Sequence, residues 1–285
     1  MSPKGRRTGM SVPLFLLITA GIAWGQAPTN EPRMEPVAEP VVAPDGGAVA
    51  AVVPVPTYNV LAFVDDYVTF GTGSPISADR TQFSCGAWIR GDAIGDANYR
   101  VFLCWSNGDG QRAIEIGTFG SQIYYAIAND GAATVRKFAQ NVFVARDGKW
   151  RHVTLTFNAG TVALYHNFVA VAHTPLYNDS FTEVNNSTGD VRVGQRLNGA
   201  TPERQWVGSV TLPFFYPIAL DAAGVAALNT VNLPGSPSIE ARDAASATWY
   251  DRSGNARNGT LGPGGAAPNV GATQTAVPVA GATTP

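Results

Sequence analysis

Asp147-Gly-Lys-Trp-Arg-His-Val-Thr-Leu-Thr-Phe157, continued by Thr161-Val-Ala-Leu-Tyr-His166, decides the fold. Val153, Leu155 and Phe157 fall on one side of an extended chain, and His152, Thr154 and Thr156 on the other, because successive side chains of a strand point to opposite faces. After Asn158-Ala159-Gly160 the alternation resumes, with Val162 and Leu164 opposed by Ala163 and Tyr165. A period of two on both sides of a short Asn/Gly turn predicts a β-hairpin with one buried face.

Outward from this hairpin the same signal recurs. Val60-Leu-Ala-Phe63 and Tyr67-Val-Thr-Phe70 flank Asp65-Asp66. Phe83 to Ile89 and Val101 to Trp105 follow, then Ala113 to Gly117 and Gln122 to Ile127 about a Gly120-Ser121 turn. Asn129-Asp130-Gly131 reads as a turn before Thr134 to Phe138. Val191 to Val193 and Val207 to Tyr216 close the series, ahead of one short helix from Asp221 to Asn229 with Asp221 as its N-cap. About a dozen short strands at this spacing predict an all-β, two-sheet antiparallel sandwich. A charged fraction of only 14%, with 31 glycines and 20 prolines, suits such a turn-rich fold.

The ends differ from the middle. Lys4, Arg6 and Arg7, then the apolar run Val12 to Trp24 and the small residues of Ala23-Trp24-Gly25, read over 1–25 as an export signal with the mature chain starting at Gln26. The apolar run is shorter than the ~20 residues of a spanning helix, so no transmembrane span is expected in the mature chain. Loss of the three basic residues leaves 16 basic against 21 acidic. That balance, with no Lys/Arg stripe, argues against nucleic acid as a partner. Pro28, Pro32, Pro36, Pro40 and Pro44 make 26–57 an extended linker. The folded part is expected over 58–234, followed by a segment at 235–262; 263–285, without charge or large aromatics, reads as a disordered tail. Cys85 and Cys104 sit in neighbouring predicted strands, and either a disulfide or two buried thiols fits them.

Phe83-Ser-Cys-Gly-Ala-Trp-Ile-Arg90, Lys149-Trp-Arg-His-Val153, Leu164-Tyr165, Val193-Gly194 and Gly208 to Leu228 resemble the laminin-G-like branch of the concanavalin A-like lectin/glucanase jelly rolls. Gly208 to Leu220 is similar to that family's closing strand, and Asp65-Asp66-Tyr67-Val68 to its opening strand. The resemblance covers about residues 58–230 and implies a concanavalin A-like jelly roll. Calcium-binding members draw carboxylates from the opening and closing strands. Asp65 and Asp66 are therefore the candidate metal ligands, but Thr211-Leu212 stands at the closing pair, so calcium dependence is expected to be weak or absent and no cofactor is expected. The family's usual Asp-Gly hairpin turn is Asn167-Phe168 here, and Phe tolerates a left-handed conformation poorly, so a remodelled turn is expected. Thr248 to Leu261 resembles a segment that normally precedes the opening strand; it is expected to return to the sandwich and complete it, since the strand at Val60 to Phe63 would otherwise leave an exposed edge.

Glucanase chemistry needs two carboxyl groups across the sugar. Glu115 alone lies on a suitable strand and reads as a solvent-facing residue, so no catalytic residue is assigned. His152, His166 and His173 show no zinc spacing, and His152 reads as a packing residue. Trp105-Ser-Asn107-Gly-Asp109-Gly combines a ring with amide and carboxylate acceptors, the chemistry of a sugar site, and makes Trp105, Asn107 and Asp109 the candidate carbohydrate contacts. The reading is an exported, non-catalytic carbohydrate-binding module, secreted or at the cell surface, with a glycan or a cell-surface protein as partner. The alternative is a surface structural or adhesion protein that uses the sandwich as a spacer or protein contact.

Overall fold

Strands make up nearly all the regular structure of the computed structural model, which describes residues 61–64, 67–93, 96–106, 111–131, 136–140, 142–199, 201–228, 239–245, 248–251, 253, 255 and 257–261. The expected leader at 1–25, linker at 26–57 and tail at 263–285 lie outside these residues. Of two units, Met1–Val53 and Pro54–Pro285, every described residue belongs to the second. In chain order the elements are β1 (Leu61–Val64), β2 (Val68–Thr72), β3 (Gln82–Gly91), β4 (Tyr99–Ser106), β5 (Arg112–Phe119), β6 (Gln122–Gly131) and β7 (Arg136–Ala139). Then come β8 (Arg151–Asn158), β9 (Thr161–His166), β10 (Val169–Val171), β11 (Tyr177–Asn178), β12 (Asp190–Val193), β13 (Arg196–Asn198), β14 (Thr201–Glu203) and β15 (Val207–Tyr216). The helix α1 (Ala222–Ala227) precedes β16 (Ile239–Ala245), β17 (Thr248–Asp251) and β18 (Gly259–Leu261).

One layer runs β10-β9-β8-β3-β15, with β1 also on β15; the other runs β18-β2-β12-β4-β5-β6-β7-β11, all antiparallel. Between them lies the main core. Phe83, Cys85, Ile89, Val153, Leu155, Phe157 and Phe215 come from the first layer, and Val68, Leu103, Trp105, Ile114, Ile116, Tyr125 and Val193 from the second. Period-two alternation on both layers puts these side chains inward.

The central hairpin keeps its register, Val153 opposite His166 and Asn158 opposite Thr161. Ala159 (φ 44°) and Gly160 (φ 96°) form its two-residue turn. Its second face, however, is also covered: His152, Thr154 and Thr156 are buried. The outer layer is built partly by the Asn167-Phe168 turn, which is not remodelled. Both residues take positive φ (47° and 68°) and join His166 directly to Val169. Left-handed Phe costs about 1–2 kcal/mol. Phe168 offsets this by stacking on His152 at 4.2 Å and meeting Trp88 edge-on, while Asn167 Oδ1 accepts from the His152 amide at 2.8 Å. Burial lowers the His152 pKa to about 3, so the ring packs as a neutral group.

One predicted turn is overturned, and the cysteines take one of the two states open to them. Asn129-Asp130-Gly131 is not a turn but the end of β6, where Gly131 pairs with Arg112. Cys85 and Cys104 are both free. They lie on β3 and β4, which pair with other strands, so the two sit in different layers rather than side by side. Burial raises both thiol pKa values, that of Cys104 to about 12. The native protein is accordingly expected to resist thiol alkylation and to take up two labels once unfolded. Labelling of fewer than two thiols without reductant would show a disulfide instead.

The C-terminal segment is part of the ladder. β16 adds to β15 beyond the end of β1, with Phe214 opposite Glu240, then pairs with β17; β18 pairs with β2, with Thr260 opposite Thr69. Thus it lies beside β2 and β15 and not along β1, whose partner is β15. The helix is capped by Asp221, whose Oδ1 accepts from the Gly224 amide at 2.8 Å.

Candidate functional site

The outer face of β4 to β7 carries the chemistry. Along β6, Ile123, Tyr125 and Ile127 point into the core, which leaves Tyr124 and Ala126 outside. The same alternation on β7 sends Ala139 inward and puts Arg136 and Phe138 on the outer face. On β5, Ile114 and Ile116 face in and Glu115 faces out. A register irregularity between Arg112 and Ile114 brings the Arg112 side chain to the same side, with Nε 3.1 Å from Glu115 Oε1.

Glu115 is not solvent-facing. It is fully buried beneath the β13–β14 hairpin, whose residues reach down to it. Arg196 Nη1 donates to Oε1 at 2.9 Å and Arg204 Nη1 to Oε2 at 2.8 Å. Arg196 also pairs with Glu203 across that hairpin, and Asn198 Nδ2 donates to the same carboxylate at 2.9 Å. Burial by itself would raise the Glu115 pKa, but the guanidiniums of Arg196, Arg204 and Arg112 overcome it and hold the carboxyl below its ordinary value. An ionised carboxylate, enclosed and occupied on both oxygens, has no proton to give and no face toward a substrate. The second carboxyl, Glu203, is bound to the same Arg196.

Above this node lies a cleft of about 370 Å³, within the size range of small-ligand sites. Tyr99, Phe138 and Tyr177 supply its rings; Arg112, Arg136 and Arg204 its charges; Gln140 an amide. Tyr99 donates its hydroxyl to Gln140 Oε1 at 3.0 Å and lies under the Arg204 guanidinium at 4.8 Å. Arg136 sits 3.9 Å from the centre of the Tyr177 ring and 5.6 Å from that of Phe138. β11 fixes this pair by placing Tyr177 directly opposite Phe138. Tyr177 remains 47% exposed although Arg136 covers one face of its ring, so part of the ring is open to a ligand.

Of the candidate sugar contacts and metal ligands singled out from sequence, the described residues include only Trp105. Trp105 is fully buried in the inter-sheet core, and a ring without exposed surface has no face to offer a sugar. The alternation of β4 turns it inward. Asn107 and Asp109 lie outside the described residues, as do Asp65 and Asp66. At the closing strand Thr211 is buried and Leu212 packs on Trp88, so neither offers a carboxylate to a cation. Among the described residues no group of three His, Cys, Asp or Glu side chains is placed to hold a metal. Nor, among them, is any helix long and apolar enough to cross a membrane. Sequence reading missed the cleft because its residues come from β4, β5, β7, β11 and the end of the β13–β14 hairpin. The one local trace was the two-residue spacing of Arg136 and Phe138, which puts both on one face of a strand.

A family model described as the Concanavalin A-like lectin/glucanases superfamily, of laminin-G type, matches residues 64–226. No curated protein matches the chain in sequence. Among solved structures, the chain is similar to a heptameric SAP-like pentraxin from Limulus polyphemus at 15% identity and a TM-score of 0.48, covering 63% of this chain and 85% of that one. It is also similar to a candidate carbohydrate binding protein from Bacteroides ovatus, at 14% identity and a TM-score of 0.48 over 72% and 58% of the two chains. The receptor binding domain of botulinum neurotoxin type G follows at 15% identity and a TM-score of 0.38, over 59% and 45%. With its two antiparallel layers and a family match over more than half its length, this chain belongs to the concanavalin A-like lectin/glucanases superfamily.

Proposed function

We propose that the protein is an exported, non-catalytic carbohydrate-binding module whose site is the cleft bounded by Tyr99, Phe138 and Tyr177. The observation that carries this reading is the half-exposed Tyr177 ring, set opposite Phe138 by its ladder position and bordered by Gln140 and arginine donors. A sugar presents an apolar face with a fringe of hydroxyls, and an aromatic face bordered by hydrogen-bonding groups matches both. The burial and triple pairing of Glu115 support the absence of hydrolysis, since a glycosidase needs two accessible carboxyls across its substrate. Export rests on the basic, apolar and small-residue order of residues 1–25. Calcium is proposed to be dispensable, because Thr211 and Leu212 bring no charge to the closing strand.

A glycan array probed with the full chain tests the reading. Saturable binding of at least one glycan is expected, unaffected by a chelator, and Tyr177→Ala is expected to weaken it about tenfold, as for loss of an aromatic anchor. Silence across the array would sink the reading and shift weight to a structural or adhesive role. Binding unchanged in Tyr177→Ala would place the site elsewhere.

A further inference from the structure

We infer that the cleft selects an acidic glycan, an oligosaccharide carrying carboxylate or sulfate groups, and that Arg136 is the residue that reads its charge. This rests on the carbohydrate-binding reading above. Among the described residues, the charged side chains lining the cleft are Arg112, Arg136 and Arg204, and no carboxylate lines it. Two acidic groups lie close by: Glu115 is sealed beneath the cleft and shared among three guanidiniums, and Asp179 is bound to the Arg136 backbone amide. Glu115 therefore offsets Arg112 and Arg204 in part and makes no ion pair with Arg136.

Arg136 stands apart. Among the described residues no carboxylate pairs with its guanidinium; Asp179 accepts from its backbone amide at 2.8 Å, not from its side chain. Its partners are two rings, Tyr177 at 3.9 Å and Phe138 at 5.6 Å. A guanidinium lying on an aromatic face keeps its N–H edge for another acceptor. That edge is a planar fork, matched to the two oxygens of a carboxylate or sulfate. The rings beside it fit the body of a pyranose, which a phosphorylated or acidic peptide does not supply. The concentration of cation is local, since the chain as a whole carries a formal charge of −2.

The experiment is calorimetric titration of the full chain with four probes. These are an oligogalacturonate, its carboxyl-reduced neutral counterpart, a chondroitin sulfate tetrasaccharide and an oligoglutamate of matched charge. At least one acidic sugar is expected to bind about tenfold or more tightly than the neutral one, the scale of one charge-assisted contact. Arg136→Gln is expected to erase that preference without moving the unfolding temperature. If this variant fails to fold, Arg136→Lys is read instead: a several-fold loss of the acidic sugar supports the inference, and unchanged affinity overturns it. Equal or tighter binding of the neutral sugar overturns the charge selection while leaving the carbohydrate reading intact. Oligoglutamate bound as tightly as the acidic sugars overturns the glycan assignment. Failure of every sugar to bind, on this titration and on the array, overturns both.

Discussion

Glu115→Gln is expected to destabilise the protein by about 3–5 kcal/mol, the usual cost of removing one partner from a buried ion pair. The amide keeps the shape of the carboxylate but removes the charge that Arg112, Arg196 and Arg204 converge on. Three guanidiniums, two of them nearly enclosed, would then face one another without compensation. Urea unfolding of the wild type and the variant measures the difference. A change below about 1 kcal/mol, the range of exposed pairs, would show that the node is not buried as described.

The same residue sets a pH signature. In the folded protein its pKa lies below the ordinary value of 4.5. The stability it contributes is therefore fully present above that value and is lost as pH falls through the lower, folded-state pKa. Wild-type stability should decline below pH 4.5 with a component that Glu115→Gln lacks. Because Arg204 and Arg112 also line the cleft, the variant should disturb binding as well. On a solvent-facing Glu115, the same change would have left binding untouched.

Ending the chain after Leu233 is expected to lower the unfolding temperature by about 10 °C or more, given roughly 2–4 °C per kcal/mol for a domain of this size. The truncation removes β16, β17 and β18. It strips the pairing of Phe214 and Phe215 with β16 and of Val68 and Thr69 with β18, leaving two open edges. The contact is close. A Cβ on Gly259 would come 2.5 Å from Val68 Cγ1 and 2.9 Å from the Phe70 ring, so only glycine lets β18 lie this near β2. Gly259→Val gives a second variant that leaves chain length unchanged and should destabilise in the same direction. If the shortened chain melts together with the full one, the segment contributes nothing to the sandwich and the structural account of 239–261 fails.

The succession of strands along the chain and the alternation of their faces were legible in the residues themselves. Val153, Leu155 and Phe157 alternate because a strand has two faces, and that rule alone placed them in the core; local turn and cap chemistry placed the Gly120-Ser121 hairpin and the Asp221 cap. Local chemistry failed where a partner from elsewhere in the chain settled the outcome. Phe168 accepts an unfavourable backbone because Trp88 and His152 reward its ring with contact. Gly131 extends a strand because Arg112 lies opposite it. Trp105 and Glu115 were each read from their own neighbours, a polar loop for one and an exposed strand for the other. The facing layer and the β13–β14 hairpin bury them both. By itself the sequence determined an all-β jelly roll with alternating faces. Only the tertiary structure decided which outer face became a cleft, because Tyr99, Arg136, Tyr177 and Arg204 are brought together by ladders between strands far apart in the chain, and no local pattern encodes that meeting.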